Sequence, residues 1–193
     1  MIEANDQQTL PLGGRVASKI AAKKRTLRGA TKTIAEDDPR LDRIDRQILR
    51  RLQADGRVSI SEVAADVHLS VSPCLARVRR LEQQGYIKGY FAHLDPSRLG
   101  LTLLVIMAVQ MDRTTPDTFE RFGRAVMSFD EVLECHMVGG GVDYLVKVRV
   151  KNMAAFRRFL EEKMGRVPGM KQTHTYFVMD EVKSTHQLTV ASS

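Results

Sequence analysis

One short run concentrates the chemistry of this chain: Ser70-Val71-Ser72-Pro73-Cys74-Leu75-Ala76-Arg77-Val78-Arg79-Arg80-Leu81-Glu82. A guanidinium fork can give two parallel hydrogen bonds to a guanine edge or a phosphate. Serine hydroxyls and the unpaired N–H groups of a helix start suit phosphate oxygens. Leu75, Val78 and Leu81 recur every three residues, so the spacing predicts a helix with one buried stripe. Arg77, Arg79 and Arg80 are expected to project away from it. Arg77 and Arg80, three apart, are expected to reach base edges, each bidentate contact being worth about 1–3 kcal/mol of discrimination. Arg79 lies round the helix, nearer a backbone strand. Pro73 is tolerated in a first turn, and Cys74 reads as a small packing residue.

Such a helix needs elements that hold it. Leu41, Ile44, Ile48 and Leu52 repeat at helical spacing, with Asp42 and Asp45 in the first turn and Arg50 and Arg51 in the last, matching the helix dipole. Asp55-Gly56 ends that helix. Ser59 and Glu62 form a capping box for a second, whose buried face is Ile60, Val63, Ala64 and Val67. His68-Leu69 makes a tight turn into the arginine helix, which Gly85 stops. Tyr86 to Ala92 has the composition of a strand and carries Lys88. Three helices and a strand predict a winged helix-turn-helix, the geometry that places a helix in the major groove of DNA. Lys88 and Arg57 are candidate phosphate contacts, or ordinary surface cations.

The second half reads as alternating elements. Leu101–Met111 is a strand. Thr115-Pro116 opens a helix with Phe119, Phe122 and Val126 inward, and Val132–Val138 is a strand. Asp143–Val150 is a further strand. Asn152 caps a helix with Phe156, Phe159 and Leu160 inward, and Thr173–Met179 closes the set. The order βαββαβ predicts a ferredoxin-like domain with both helices on one face of an antiparallel sheet. The fold class is therefore α+β. The other face is expected to expose apolar side chains, which a second copy would cover, so a homodimer is expected. Gly139-Gly140-Gly141 lies between two strands. Glycines admit backbone N–H groups close to a carboxylate, and Asp143 can accept from an ammonium, as an amino acid requires. Alternatively, Asp143 only caps the turn.

Composition bounds the rest. The net charge is +7 and its excess lies early: residues 1–40 and 41–92 each carry +3, and residues 93–193 only +1. A basic first half fits a polyanion partner. The longest apolar run, Leu101 to Val109, is too short to span a bilayer. Two distant cysteines, Cys74 and Cys135, suggest a thiol-reduced, cytoplasmic protein. His136 beside Cys135 lacks further ligands at metal spacing, and no nucleophile motif is present, so neither a metal, a cofactor nor an enzyme is expected. The expected layout is a basic, disordered extension over residues 1–40, a DNA-binding domain over 41–92, a linker over 93–100, a sensing domain over 101–183 and a tail over 184–193.

Leu41 to Leu49, Pro73 to Glu82, Gly85-Tyr86-Ile87-Lys88-Gly89-Tyr90 and Glu134-Cys135-His136-Met137-Val138 together resemble the Lrp/AsnC family of bacterial and archaeal transcription regulators, nearest its leucine-responsive branch. The resemblance covers about residues 40–190. It implies a DNA-binding domain joined to a domain that binds a small effector such as an amino acid. It also implies inverted-repeat operators and dimers assembling further, often to octamers, on the nucleoid. It places Gly139, Gly140, Gly141 and Asp143, with Tyr176 and Val178 of the last strand, at an effector pocket between subunits; Phe177 reads as sheet core. Leucine-responsive relatives carry an acidic residue where this chain has Gly141, which removes one ammonium partner. Two other functions remain open at this point. One is an architectural DNA protein without an essential ligand. The other is an enzyme like the sirohaem decarboxylases that resemble this family, disfavoured because the arginines gather on one helix.

Overall fold

A computed structural model describes residues 40–191. The expected extension therefore lies almost wholly outside the described residues. Helix α1 (Arg43–Ala54), α2 (Ile60–Asp66) and α3 (Val71–Gln83) follow one another closely. Ile48, Val63, Ala64, Cys74, Val78 and Leu81 are essentially inaccessible and form their shared core. The capping box at the start of α2 is complete: Glu62 N–H donates to Ser59 Oγ at 3.2 Å and Ser59 N–H to Glu62 Oε2 at 2.9 Å. The Ser59 hydroxyl, donating to Glu62 Oε2 at 2.7 Å, and then the Ser59 N–H lower the Glu62 pKa. The α2–α3 turn places His68 at φ 56, a left-handed conformation, and Leu69 N–H closes it on Ala64 O at 2.9 Å. At the end of α3, Gly85 sits at φ +80 while Tyr86 N–H reaches Leu81 O and Gly85 N–H reaches Glu82 O, each at 3.0 Å. This is a left-handed cap that needs glycine.

The expected strand over Tyr86–Ala92 does not form: none of its residues joins a ladder among the described residues. A strand needs a ladder partner, and the only sheet among the described residues is formed by the four strands of the second half. Phe91 and Leu94 are left largely exposed. Tyr90 nevertheless ties the segment to α3, its hydroxyl donating to Glu82 Oε1 at 3.1 Å. Burial and the neighbouring Glu82 push the Tyr90 pKa up to about 12, so it stays a donor.

Strands β1 (Leu103–Met111), β2 (Val132–Met137), β3 (Tyr144–Val150) and β4 (Met170–Phe177), with α4 (Pro116–Val126) and α5 (Met153–Glu162), give the expected βαββαβ order. The sheet order is β2-β3-β1-β4, with every pairing antiparallel. Alternation along β1 and β3 sends Val105, Met107, Val109, Val146 and Val148 onto Phe122, Val126, Phe156 and Phe159 of the helices. Thr115 and Asn152 cap α4 and α5.

The opposite face of the sheet is more polar than expected. Ile106, Leu145 and Tyr176 share it with Lys147, whose Nζ lies 3.0 Å from Glu134 Oε1; Glu134 Oε2 meets His136 Nε2 at 3.2 Å. The residues after β4 cross this face, with Glu181 paired to Arg149. They enclose a cleft of about 500 Å³ lined in part by Leu104, Lys147, Val178 and His186. The C-terminal residues are not a loose tail. Gln53 of α1 donates from Nε2 to Leu188 O and accepts at Oε1 from Leu188 N–H, both at 2.8 Å. The His93 and His186 rings meet edge-on, with centroids 6.0 Å apart.

Candidate DNA interface and ligand region

The exposed face of α3 runs along Ser72, Ala76, Arg79 and Gln83, with Pro73 beside it. At its start, Ser70 has N-cap geometry, yet its hydroxyl makes no capping hydrogen bond. Ser70 and Ser72 are both exposed. Arg79 stands at the centre of this face and makes no ion pair among the described residues.

Arg77 and Arg80 behave otherwise, which corrects the expectation that all three arginines project away from the core. Both turn toward α1, where the Asp45 carboxylate is buried. Arg77 Nη1 donates to Asp45 Oδ1 at 2.9 Å, and Arg80 Nη2 donates to Asp45 Oδ2. Arg80 Nε is buried without a partner. The two guanidinium groups remain part-exposed, 28% and 43%, at the border of the open face. The physical reason is charge burial. A carboxylate inside a helical core must be paired, and Arg77 and Arg80 are the cations one turn apart on the facing helix. The expected positions are thus exchanged: Arg79 takes the centre of the open face and Arg77 with Arg80 its flank. Lys88 lies on the Tyr90-anchored segment after α3, and Arg57 lies in the loop before α2; both are exposed.

The ligand-region residues do not converge within one chain. Gly139, Gly140 and Gly141 form the exposed β2–β3 turn. Gly140 has φ +145, but a side chain at Gly139 or Gly141 would meet nothing within 4 Å. Asp143 is already employed: its Oδ2 accepts from Met111 N–H at 2.8 Å, and its own N–H reaches Val109 O at 2.9 Å. This carboxylate oxygen therefore binds the backbone of β1 and does not cap the turn. Tyr176 pairs opposite Ile106, and Val178 N–H bonds Leu104 O. Along β1, Leu104 and Met111 are about 23 Å apart at roughly 3.3 Å per residue. Phe177 packs edge-on against Phe156 with centroids 5.6 Å apart, yet it is 45% exposed, so it lies at the margin of the sheet and not in its core as expected. Among the described residues no cluster of three or more His, Cys, Asp or Glu could hold a metal ion, and no helix is long and apolar enough to cross a membrane.

A capped helix-turn-helix with a cationic third helix, joined to a βαββαβ domain, defines a DNA-binding regulator carrying a separate ligand-binding domain. Comparison with known proteins gives its lineage. Residues 41–88 match a winged helix-turn-helix DNA-binding family, and residues 104–188 match the Lrp/AsnC ligand binding domain. The leucine-responsive regulatory proteins of Escherichia coli K12 and Salmonella typhimurium are each 51% identical over 150 residues, covering 78% of this chain and 92% of the relative. A transcriptional regulator of Neisseria meningitidis, solved as a complex with L-Met, is 35% identical with a TM-score of 0.73, covering 77% of this chain and 96% of that one. A leucine response regulatory protein of Mycobacterium tuberculosis gives 33% and 0.67, covering 77% and 99%. The chain belongs to the Lrp/AsnC family of transcriptional regulators. Its relatives are regulators rather than enzymes, which removes the sirohaem decarboxylase alternative.

Proposed function

We propose that α3 enters the major groove with Arg79 reading a base edge and with Ser70, Ser72, Arg57 and Lys88 on flanking phosphates. We further propose that an amino acid, bound where copies of the sensing domain meet, sets how dimers assemble and hence which inverted-repeat half-sites are bridged. Residues 41–92 are then the reader, 93–100 the linker and 101–183 the sensor, in a cytoplasmic, nucleoid-bound homo-oligomer of dimeric or octameric order. The observation that carries this reading is the separation inside one chain of the β2–β3 turn from Tyr176 and Val178. A pocket using both groups requires a second subunit. The turn also keeps glycine at two positions where nothing in the chain demands it, which leaves its N–H groups open to a carboxylate.

The test is a thermal-shift and sedimentation screen of the full chain with each of the twenty amino acids. Methionine goes first, because the Neisseria regulator was solved with it. A ligand that binds the native state at 100 times its Kd stabilises it by about 2.7 kcal/mol. The expected result is one or a few amino acids that raise the Tm and change both the sedimentation profile and the operator affinity. Unchanged assembly and affinity across the whole panel would replace this reading with an architectural DNA protein that needs no ligand.

A further inference from the structure

We propose that Asp45 is a positioning residue for sequence discrimination: by clamping Arg77 and Arg80, it makes the flank of the reading helix rigid and weakly charged. This rests on the DNA-reading role of α3. A carboxylate that only joined α1 to α3 would need one cation. Here each oxygen of a buried carboxylate takes a guanidinium, and both cations come from the helix that carries the exposed Arg79. The guanidinium groups are not sealed in with their partner; both still reach the edge of the open face. An arginine has five N–H donors in a planar fork, so it can hold a carboxylate on one side and present another edge outward.

Two consequences follow from the charge and the geometry. Two guanidinium groups set against one carboxylate present one net positive charge rather than two, which lowers their attraction for any phosphate backbone regardless of sequence. With the forks immobilised, their outward edges meet only a base or phosphate at one position, so their entropy is lost in folding rather than in binding. Released, the same arginines would swing to phosphates and bind every sequence more tightly. The clamp therefore trades affinity for specificity.

The experiment compares wild type with Asp45→Asn and Arg80→Lys, all full-length. Each is titrated by anisotropy against a duplex enriched by wild type from a random library and against its scrambled version, over a range of salt. Asp45→Asn keeps the shape but removes the charge. The expected result is tighter binding to the scrambled duplex, a salt slope steeper by about 0.9 for each additional phosphate neutralised, and a selected-to-scrambled ratio reduced tenfold or more. Arg80→Lys keeps the charge but not the fork, so the ratio falls while the salt slope stays that of wild type. A purely structural Asp45 would lower the Tm and weaken both duplexes alike. An unchanged ratio in the folded variants overturns the proposal, and if Asp45→Asn does not fold, Arg80→Lys decides alone. A wild type with no preference between the duplexes would instead refute the DNA-reading role of α3, and the clamp proposal with it.

Discussion

The DNA-facing and ligand-facing regions of this chain are built on opposite plans. The reader is assembled from neighbours in sequence: α1, α2 and α3 pack at once, and every side chain that sets the open face of α3 comes from that one unit. The residues proposed for ligand binding are scattered across both ends of a sheet. The glycine turn and Asp143 stand on one side of β1, and Tyr176 with Val178 on the other. A surface that reads an external duplex can be finished within one copy. A surface that reports on assembly is better left unfinished until copies meet, since its ligand then binds the assembled state preferentially and shifts that equilibrium.

Four measurements bear on this contrast. The largest effect is expected from removing both arginines of the clamp. Arg77→Ala with Arg80→Ala strands a buried carboxylate and should cost the reader about 3–5 kcal/mol in urea unfolding, with the sensor domain unfolding as before. A loss shared by both domains would show that the reader is not self-contained. Next, Asp143→Ala should destabilise the sensor by about 1.5–3 kcal/mol without any ligand, since Met111 N–H loses a charged acceptor. If unfolding without ligand is unaffected and only the ligand response is lost, Asp143 belongs to the pocket rather than to the strand. Arg79→Ala should weaken specific binding by roughly 1–3 kcal/mol while leaving the Tm in place. The smallest effect concerns Glu134. Its pKa is lowered by hydrogen bonds with His136 and then Lys147. A carboxylate with a depressed folded pKa adds stability above its unfolded value, and that stability is lost as pH falls through the folded one. Glu134→Gln should therefore flatten the acid limb of sensor stability slightly, most visibly below about pH 4.5, the ordinary value.

Periodicity and local punctuation carried much of the fold. The stripe through Val78 and Leu81, the Ser59–Glu62 box, the Thr115-Pro116 and Asn152 starts and the βαββαβ order were all legible, because each depends on residues within a few positions of one another. The clamp was not. Asp45 in a first turn looks like an ordinary dipole complement, and only packing against α3 gives it two arginines. One signal did exist: Asp45 falls on the apolar stripe, between Leu41 and Ile48, where a charge requires a partner. The segment after Gly85 failed for the opposite reason. Its composition suits a strand, but a strand is a relation between two segments, and composition read along one segment does not supply the second. On the outer sheet face, alternation foretells the apolar Ile106, Leu145 and Tyr176, while the polar pairs among them depend on cross-strand partners such as Glu134 and Lys147.

The pairing of Gln53 with Leu188 also has a kinetic meaning. It joins residues 135 positions apart, whereas the packing within the reader is local. Contacts of such long range close late, since a large loop must be ordered before they form. The reader can therefore reach its native packing while the sensor is still being synthesised, and the joint between them is among the last to form. Being exposed and few, the same bonds should be among the first to open in the native state, so amide exchange at Leu188 would report the coupling of the two halves ahead of any global unfolding.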